Sequence, residues 1–197
     1  MKIGLYGGTF DPIHNGHLRV IVELISRKVV DQIILIPAGE PQLRTVGPLA
    51  EPEARLQMCK LAVSDLPIDI KKAVEVSDIE ITRQGPTYAI DTVEGFVKSR
   101  VGMDKNELFW IIGSDAYEKI ESWHRAAELK DLVSFIVIDR PNAESSTDSS
   151  DVQGEIDGMD IGALDISATK IRSDQSVSGV SPSVRKYILE RKLYASK

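Results

Sequence analysis

The sequence has 197 residues, 42% hydrophobic and 27% charged, with one cysteine and a formal net charge of -6, the composition of an ordinary globular protein with enough chain for one sizeable core. No apolar run approaches the ~20 residues of a membrane-spanning helix, no basic-then-apolar leader opens the chain, and the lone Cys59 excludes an internal disulfide framework and a cysteine-based zinc site, so a cytoplasmic protein with no membrane partner is expected. Seven acidic and no basic residues lie between Asn142 and Asp165; taking them from -6 leaves about +1 elsewhere, and no basic nucleic-acid footprint remains.

In chain order, "KIGLY" reads as a buried first strand, followed by helical spacing of Leu18, Ile21, Val22 and Ile25 within Leu18–Lys28. "QIILIPAG" is a second strand closed by Pro37 and Gly39. A helix over Glu51–Asp65 carries Pro52 in its first turn, where a missing N–H costs little; its Cys59 reads as a buried structural thiol. "IDIKKAVEV" reads as a shorter strand region, Thr87–Ser99 as a helix, and "ELFWIIG" and "LVSFIVID" as buried strands. The 142–165 stretch, rich in Ser, Gly and Asp, reads as an acidic surface loop. "SPSVRKYILERKLY" closes the chain as a helix capped by Ser181.

Strands alternating with helices imply an α/β fold: a Rossmann-like, doubly wound parallel sheet with helices on both faces and a small C-terminal helical portion, in one domain over residues 1–197. Such sheets bind ligands beyond the C-terminal strand ends, where the strand order switches. The turn after the first strand, "GGTFDPIHNGH", lies there and holds two of the three histidines. Gly7 and Gly8 end the strand without side chains, which would let backbone approach a ligand. A helix starting near Gly16 with Asn15 as its N-cap puts His17 in the first turn, where N–H groups and the helix dipole favour an anion. His14 aims at the same space, and imidazole N–H groups would add donors for a phosphate.

"HNGH" fits the His-x-Gly-His motif of the nucleotidyltransferase superfamily, and "GGTFDPIHNGH" resembles its adenylyltransferase branch. The resemblance implies that Gly7, Gly8, Thr9, Phe10, His14 and His17 bind ATP, with both histidines on the transferring phosphoryl group. The Gly-x-Gly-x-x-Gly fingerprint of a dinucleotide-dependent dehydrogenase is missing from this turn. "ISATKIR" places Ser167 and Thr169 at another helix start, with Arg172 one turn on, and a planar guanidinium suits a polyphosphate. It resembles the family's Ile-Ser-Ser-Thr-x-x-Arg signature, with Ala168 in place of one Ser; Ser167, Thr169 and Arg172 would grip the β- and γ-phosphates.

"EITRQGPTYAIDT", Glu80 to Thr92, resembles the acceptor block of bacterial nicotinate mononucleotide adenylyltransferases. With Thr87 as N-cap, the N–H groups near Thr87 and Tyr88 could meet a pyridine carboxylate. By the same resemblance, Gly113 and Asp115 would serve the adenosine ribose, with Ser114 standing where the family has Ala, and Trp123 would stack on the nicotinate ring. His124 carries no motif role. The family's basic stretch after strand two is replaced by "GEPQLRTVGP", so Arg44 is the expected phosphate contact there, and Arg140 is a second candidate.

The implied reaction joins ATP and nicotinate mononucleotide into nicotinate adenine dinucleotide and pyrophosphate. No protein metal cluster is evident, so Mg²⁺ would be bound mainly through ATP phosphates. Three alternatives stand beside it: phosphopantetheine as acceptor, nicotinamide mononucleotide as acceptor, and a non-catalytic nucleotide-binding module. A homo-oligomer is possible on this reading.

Overall fold

Six strands lie side by side, all parallel, in the order β3-β2-β1-β4-β5-β6. The structure is a computed structural model that describes residues 1–41, 47–99, 107–139, 156–159, 166–173 and 177–195. The strands are β1 (Ile3–Gly8), β2 (Gln32–Pro37), β3 (Val74–Val76), β4 (Leu108–Gly113), β5 (Ser134–Ile138) and β6 (Ile156–Met159). Between and after them run α1 (Asn15–Ser26), α2 (Pro52–Ser64), α3 (Ile68–Lys71), α4 (Ala89–Ser99), α5 (Ser114–Tyr117), α6 (Ala126–Leu132), α7 (Ala168–Ser173) and α8 (Pro182–Arg191). This is the doubly wound order, and the direction of winding reverses between β1 and β4, where a crevice opens at the strand C-termini.

The strands are apolar throughout because both faces are covered. Successive side chains point to opposite faces, so Ile33 and Leu35 of β2, Phe109 and Ile111 of β4 and Ile136 and Ile138 of β5 pack under α1, α2, α7 and α8. Ile34 and Ile36, Leu108, Trp110 and Ile112, and Phe135 and Val137 pack under α4 and α6. Leu18, Val20, Ile21 and Leu24 give α1 its buried stripe. Cys59 is fully buried on α2, and burial pushes its thiol pKa far up, which fits the structural reading.

Four local expectations are corrected. His14, not Asn15, is the N-cap of α1; its backbone is extended and its carbonyl accepts from His17 N (2.9 Å) and Leu18 N (3.1 Å). "IDIKKAVEV" splits into the single helical turn α3 and the three-residue strand β3, because only Val74–Val76 pairs with β2. Of the acidic stretch only Ile156–Met159 is among the described residues, and it forms β6, a strand paired with β5; the rest of the expected loop lies outside them. At α8, Ser181 holds the cap position without a side-chain cap bond; Asp65, just past α2, accepts from Ser183 N (2.9 Å) and Ser183 Oγ (2.6 Å) instead. Burial opposes ionisation of Asp65, but the Ser183 bonds, with Ser181 and the Lys71 charge, together hold the carboxyl below its ordinary value.

Candidate active site

β1 delivers the chain to the crevice at Gly7 and Gly8, and the reason for two glycines is internal. A side chain on Gly7 would begin 2.8 Å from the Trp110 indole, and one on Gly8 would begin 2.8 Å from the Phe10 ring. On the side where a Cβ would stand, their bare backbones make room for the protein's own aromatic rings. Phe10, turned back by a positive φ of 48°, stands edge-on to Tyr6 (5.6 Å) and to His17 (5.0 Å). That packing fixes one wall of the histidine site.

His14 and His17 stack face to face, 3.7 Å between ring centroids and 24° between planes. The His14 backbone N–H donates to His17 Nδ1 (3.2 Å). A ring nitrogen that accepts carries no proton, so the neutral His17 ring bears its proton on Nε2. The helix cap thereby sets the tautomer and makes Nε2 the donor. Asn15 N donates to Gly179 O (2.8 Å), tying this helix start to the C-terminal segment.

Arg172 reaches the same turn from α7, donating through Nη1 to the Asp11 carbonyl (2.6 Å) and through Nη2 to Thr169 Oγ1 (3.1 Å). Ser167 Oγ accepts from Lys170 N (3.1 Å) and so helps to cap α7. Residues 161 positions apart in sequence, Asp11 and Arg172, are thus brought together, and the two phosphate motifs face one turn. At the end of β4, Asp115 Oδ1 folds over Gly113, 2.8 Å from where a side chain there would begin.

The acceptor block docks on the loop after β2. Glu40 O accepts from Thr87 Oγ1 (3.3 Å) and, more distantly, from Thr87 N (3.5 Å), and a side chain on Gly39 would begin 2.2 Å from Glu80 O. The expected N-cap is therefore not Thr87: α4 begins at Ala89, and Tyr88 O accepts from Thr92 N (3.3 Å). Thr87 instead sits between the β2 loop, at Glu40 O, and the Glu80 carboxyl. Glu80 is buried and accepts from Thr92 Oγ1 (2.8 Å), which in turn accepts from Arg83 Nη1 (3.3 Å). Burial raises the Glu80 pKa against the hydrogen bonds of Thr92 and Thr87.

Trp123 stands perpendicular to Trp110, with ring centroids 6.4 Å apart. His124, without a role in the sequence, lies 4.4 Å from the Tyr88 ring, tilted by 34°. Arg44 and Arg140 lie outside the described residues. Sequence reasoning also missed Arg55, fully buried on α2, and Tyr194, whose hydroxyl donates to Asp11 Oδ1 (2.6 Å). For Arg55 the signal was available, because Arg55, Met58, Cys59 and Ala62 share one helical face and the last three are apolar. Among the described residues, no three His, Cys, Asp or Glu side chains gather as a metal cage. The Asp11 carboxylate is already occupied by Leu49 N, Ala50 N and the Tyr194 hydroxyl.

The sequence matches the model of the Cytidylyltransferase-like family over residues 5–174. It is 36% identical to a protein of Bacillus pumilus named probable nicotinate-nucleotide adenylyltransferase, with 99% of each chain covered. A protein of the same name from Dehalococcoides mccartyi is 34% identical, covering 100% of this chain and 98% of its own. The chain belongs to the nicotinate-nucleotide adenylyltransferases of the Cytidylyltransferase-like family. Among solved structures, the Plasmodium falciparum nicotinic acid mononucleotide adenylyltransferase complexed with NaAD superposes with a TM-score of 0.74 at 20% identity. It covers 98% of this chain and 97% of its own, so this nucleotidyltransferase shares the whole architecture with it. No helix among the described residues is long and apolar enough to cross a membrane.

Proposed function

We propose that the protein transfers the adenylyl group of ATP to nicotinate mononucleotide, giving nicotinate adenine dinucleotide and pyrophosphate. The observation that carries this is the stacked His14–His17 pair at the start of α1, with Arg172 anchored on the same turn at the β1/β4 switch. An acceptor phosphate oxygen bonds to the α-phosphorus as the bond to the bridging oxygen breaks, and the electron pair leaves with pyrophosphate. The acceptor phosphate is already ionised at neutral pH, so no general base is required. Catalysis is positioning and charge stabilisation.

In this reading His17 donates from Nε2 to the α/β-phosphate region and His14 lies against the same oxygens. Arg172 has five N–H groups; two serve Asp11 and Thr169, and the others face the leaving pyrophosphate, with Ser167 and Thr169 beside it. Thr9, Gly113 and Asp115 line the nucleoside side. Mg²⁺, held by phosphate oxygens and water rather than by a protein cage, would neutralise charge on the triphosphate. The donor set fits that arrangement, since its carboxylate Asp11 is committed to the protein.

On the acceptor side, Tyr88 and Trp123 present aromatic faces and the first turn of α4 presents backbone donors. A pyridine carboxylate gains more from such donors than a neutral carboxamide does. The test is a purified-enzyme assay with ATP, Mg²⁺ and, separately, nicotinate mononucleotide, nicotinamide mononucleotide and phosphopantetheine, with products resolved by chromatography. Dominant turnover of the acid form is expected. Equal turnover of the amide would remove the carboxylate argument, and preference for phosphopantetheine would overturn the acceptor.

A further inference from the structure

Arg55 has no place in the chemistry above, yet it is fully buried. Its guanidinium donates through Nη1 to Thr9 O (2.8 Å), through Nη2 to Gly39 O (3.0 Å) and through Nε to Ala50 O (3.2 Å). Those carbonyls belong to three separate segments: the phosphate turn after β1, the loop after β2 on which the acceptor block docks, and the approach to α2. Opposite it, the buried Asp11 carboxylate accepts from Leu49 N (2.8 Å), Ala50 N (3.1 Å) and the Tyr194 hydroxyl (2.6 Å). Ala50 joins the two charges, its carbonyl on Arg55 and its N–H on Asp11. The Asp11 carbonyl receives Arg172.

We infer that Arg55, Asp11 and Tyr194 form a buried positioning knot that holds the ATP-side turn and the acceptor-side loop in one register. A buried cation whose hydrogen bonds all go to carbonyls, with its counter-charge Asp11 across Ala50, is costly to maintain for stability alone, and apolar neighbours on α2 already fill this core. What only an arginine provides is a planar fork with donors in three directions. Misplacement of reacting groups by about 1 Å can cost about a hundredfold in rate, so a device that fixes two loops at once bears directly on turnover. Tyr194 acts more narrowly: it steadies Asp11, and through Asp11 the seat of Arg172.

This inference rests on the adenylyltransferase reading for its kinetic consequence, but not for its binding consequence. The full chain is compared with Arg55→Lys, Tyr194→Phe and, as a core control on α2, Val63→Ala. Steady-state kinetics are measured for both substrates, MgATP affinity by calorimetry, and Tm by melting. Lysine keeps the charge but cannot span three diverging carbonyls. Folded Arg55→Lys should lose about tenfold or more in kcat/KM for both substrates and bind MgATP more weakly. Tyr194→Phe should lose several-fold for ATP only, and Val63→Ala should keep both constants at a comparable Tm.

Arg55→Lys with both constants and MgATP affinity within about twofold of wild type would overturn the inference, as would equal losses in Val63→Ala. If Arg55→Lys does not fold, an unchanged kcat/KM for ATP in Tyr194→Phe overturns it. A wild type that binds MgATP but turns over no acceptor would defeat the reaction alone, with the affinity comparison still deciding the knot.

Discussion

At the scale of single residues, the site is built as much from what is missing as from what is present. Gly7→Ala would push a methyl against the Trp110 indole from 2.8 Å. Overpacking of this kind costs about 1–3 kcal/mol, so the Tm should fall by several degrees even with no ligand bound; an unchanged Tm would mean that Trp110 yields freely. His17 differs, because it is only partly buried and its proposed work is donation. His17→Ala should lower kcat by roughly 10²–10³, the loss typical of one donor to developing charge, while circular dichroism stays that of the wild type. The His14–His17 turn could be placed from the sequence because its spacing on one strand–turn–helix is local. The knot around Asp11 could not, because Arg55 and Tyr194 meet it through backbone carbonyls and a carboxylate distant in sequence. Only Arg55's place on an apolar helical face gave a hint. The tautomer of His17 likewise needed the geometry, since the His14 N–H that selects it becomes visible only once the cap is built.

At the scale of elements, long apolar strands and amphipathic helices followed from periodicity, while the hydrogen bonds at the starts of α4 and α8 run to other segments. Thr87 was expected to cap α4 but turns to Glu40 O, so the helix starts two residues later. β6 was hidden because an edge strand needs one partner and no continuous apolar run. At α8 Ser181 stands at the expected cap position, but the first-turn N–H of Ser183 goes to Asp65 at the end of α2. Asp65→Ala should therefore cost about 0.5–1 kcal/mol, at the lower end for so exposed a carboxylate. The sign with pH follows from its depressed native pKa. The stabilisation is present above the unfolded value near 4, so at neutral pH it is complete, and it is lost as pH falls through the lower native value. Denaturant titrations from pH 7 to 2.5 should show wild type and Asp65→Ala converging at the acid end; a constant gap would mean that the carboxylate is not the origin of the effect.

At the scale of the molecule, the reversal of winding between β1 and β4 explains how residues from both ends of the chain reach the proposed site. β1 carries the histidine turn, β4 ends at Gly113 with Asp115 following on α5, the β2 loop brings the acceptor block, and α7 and α8 pack on the first half with Arg172 and the segment leading to Tyr194. Strand–helix alternation and apolar strands made the fold class legible, and with it the crevice where the site is proposed. The pairing of separate loops into one cradle was not legible, because tertiary hydrogen bonds leave no periodic trace. The most direct test of the central claim follows the phosphorus atoms. With ATP labelled at the α-phosphate and nicotinate mononucleotide as acceptor, the label should appear in the dinucleotide, while γ-label should appear in pyrophosphate. Label passing from the γ-position to the acceptor, or no transfer of α-label to any mononucleotide, would contradict adenylyl transfer.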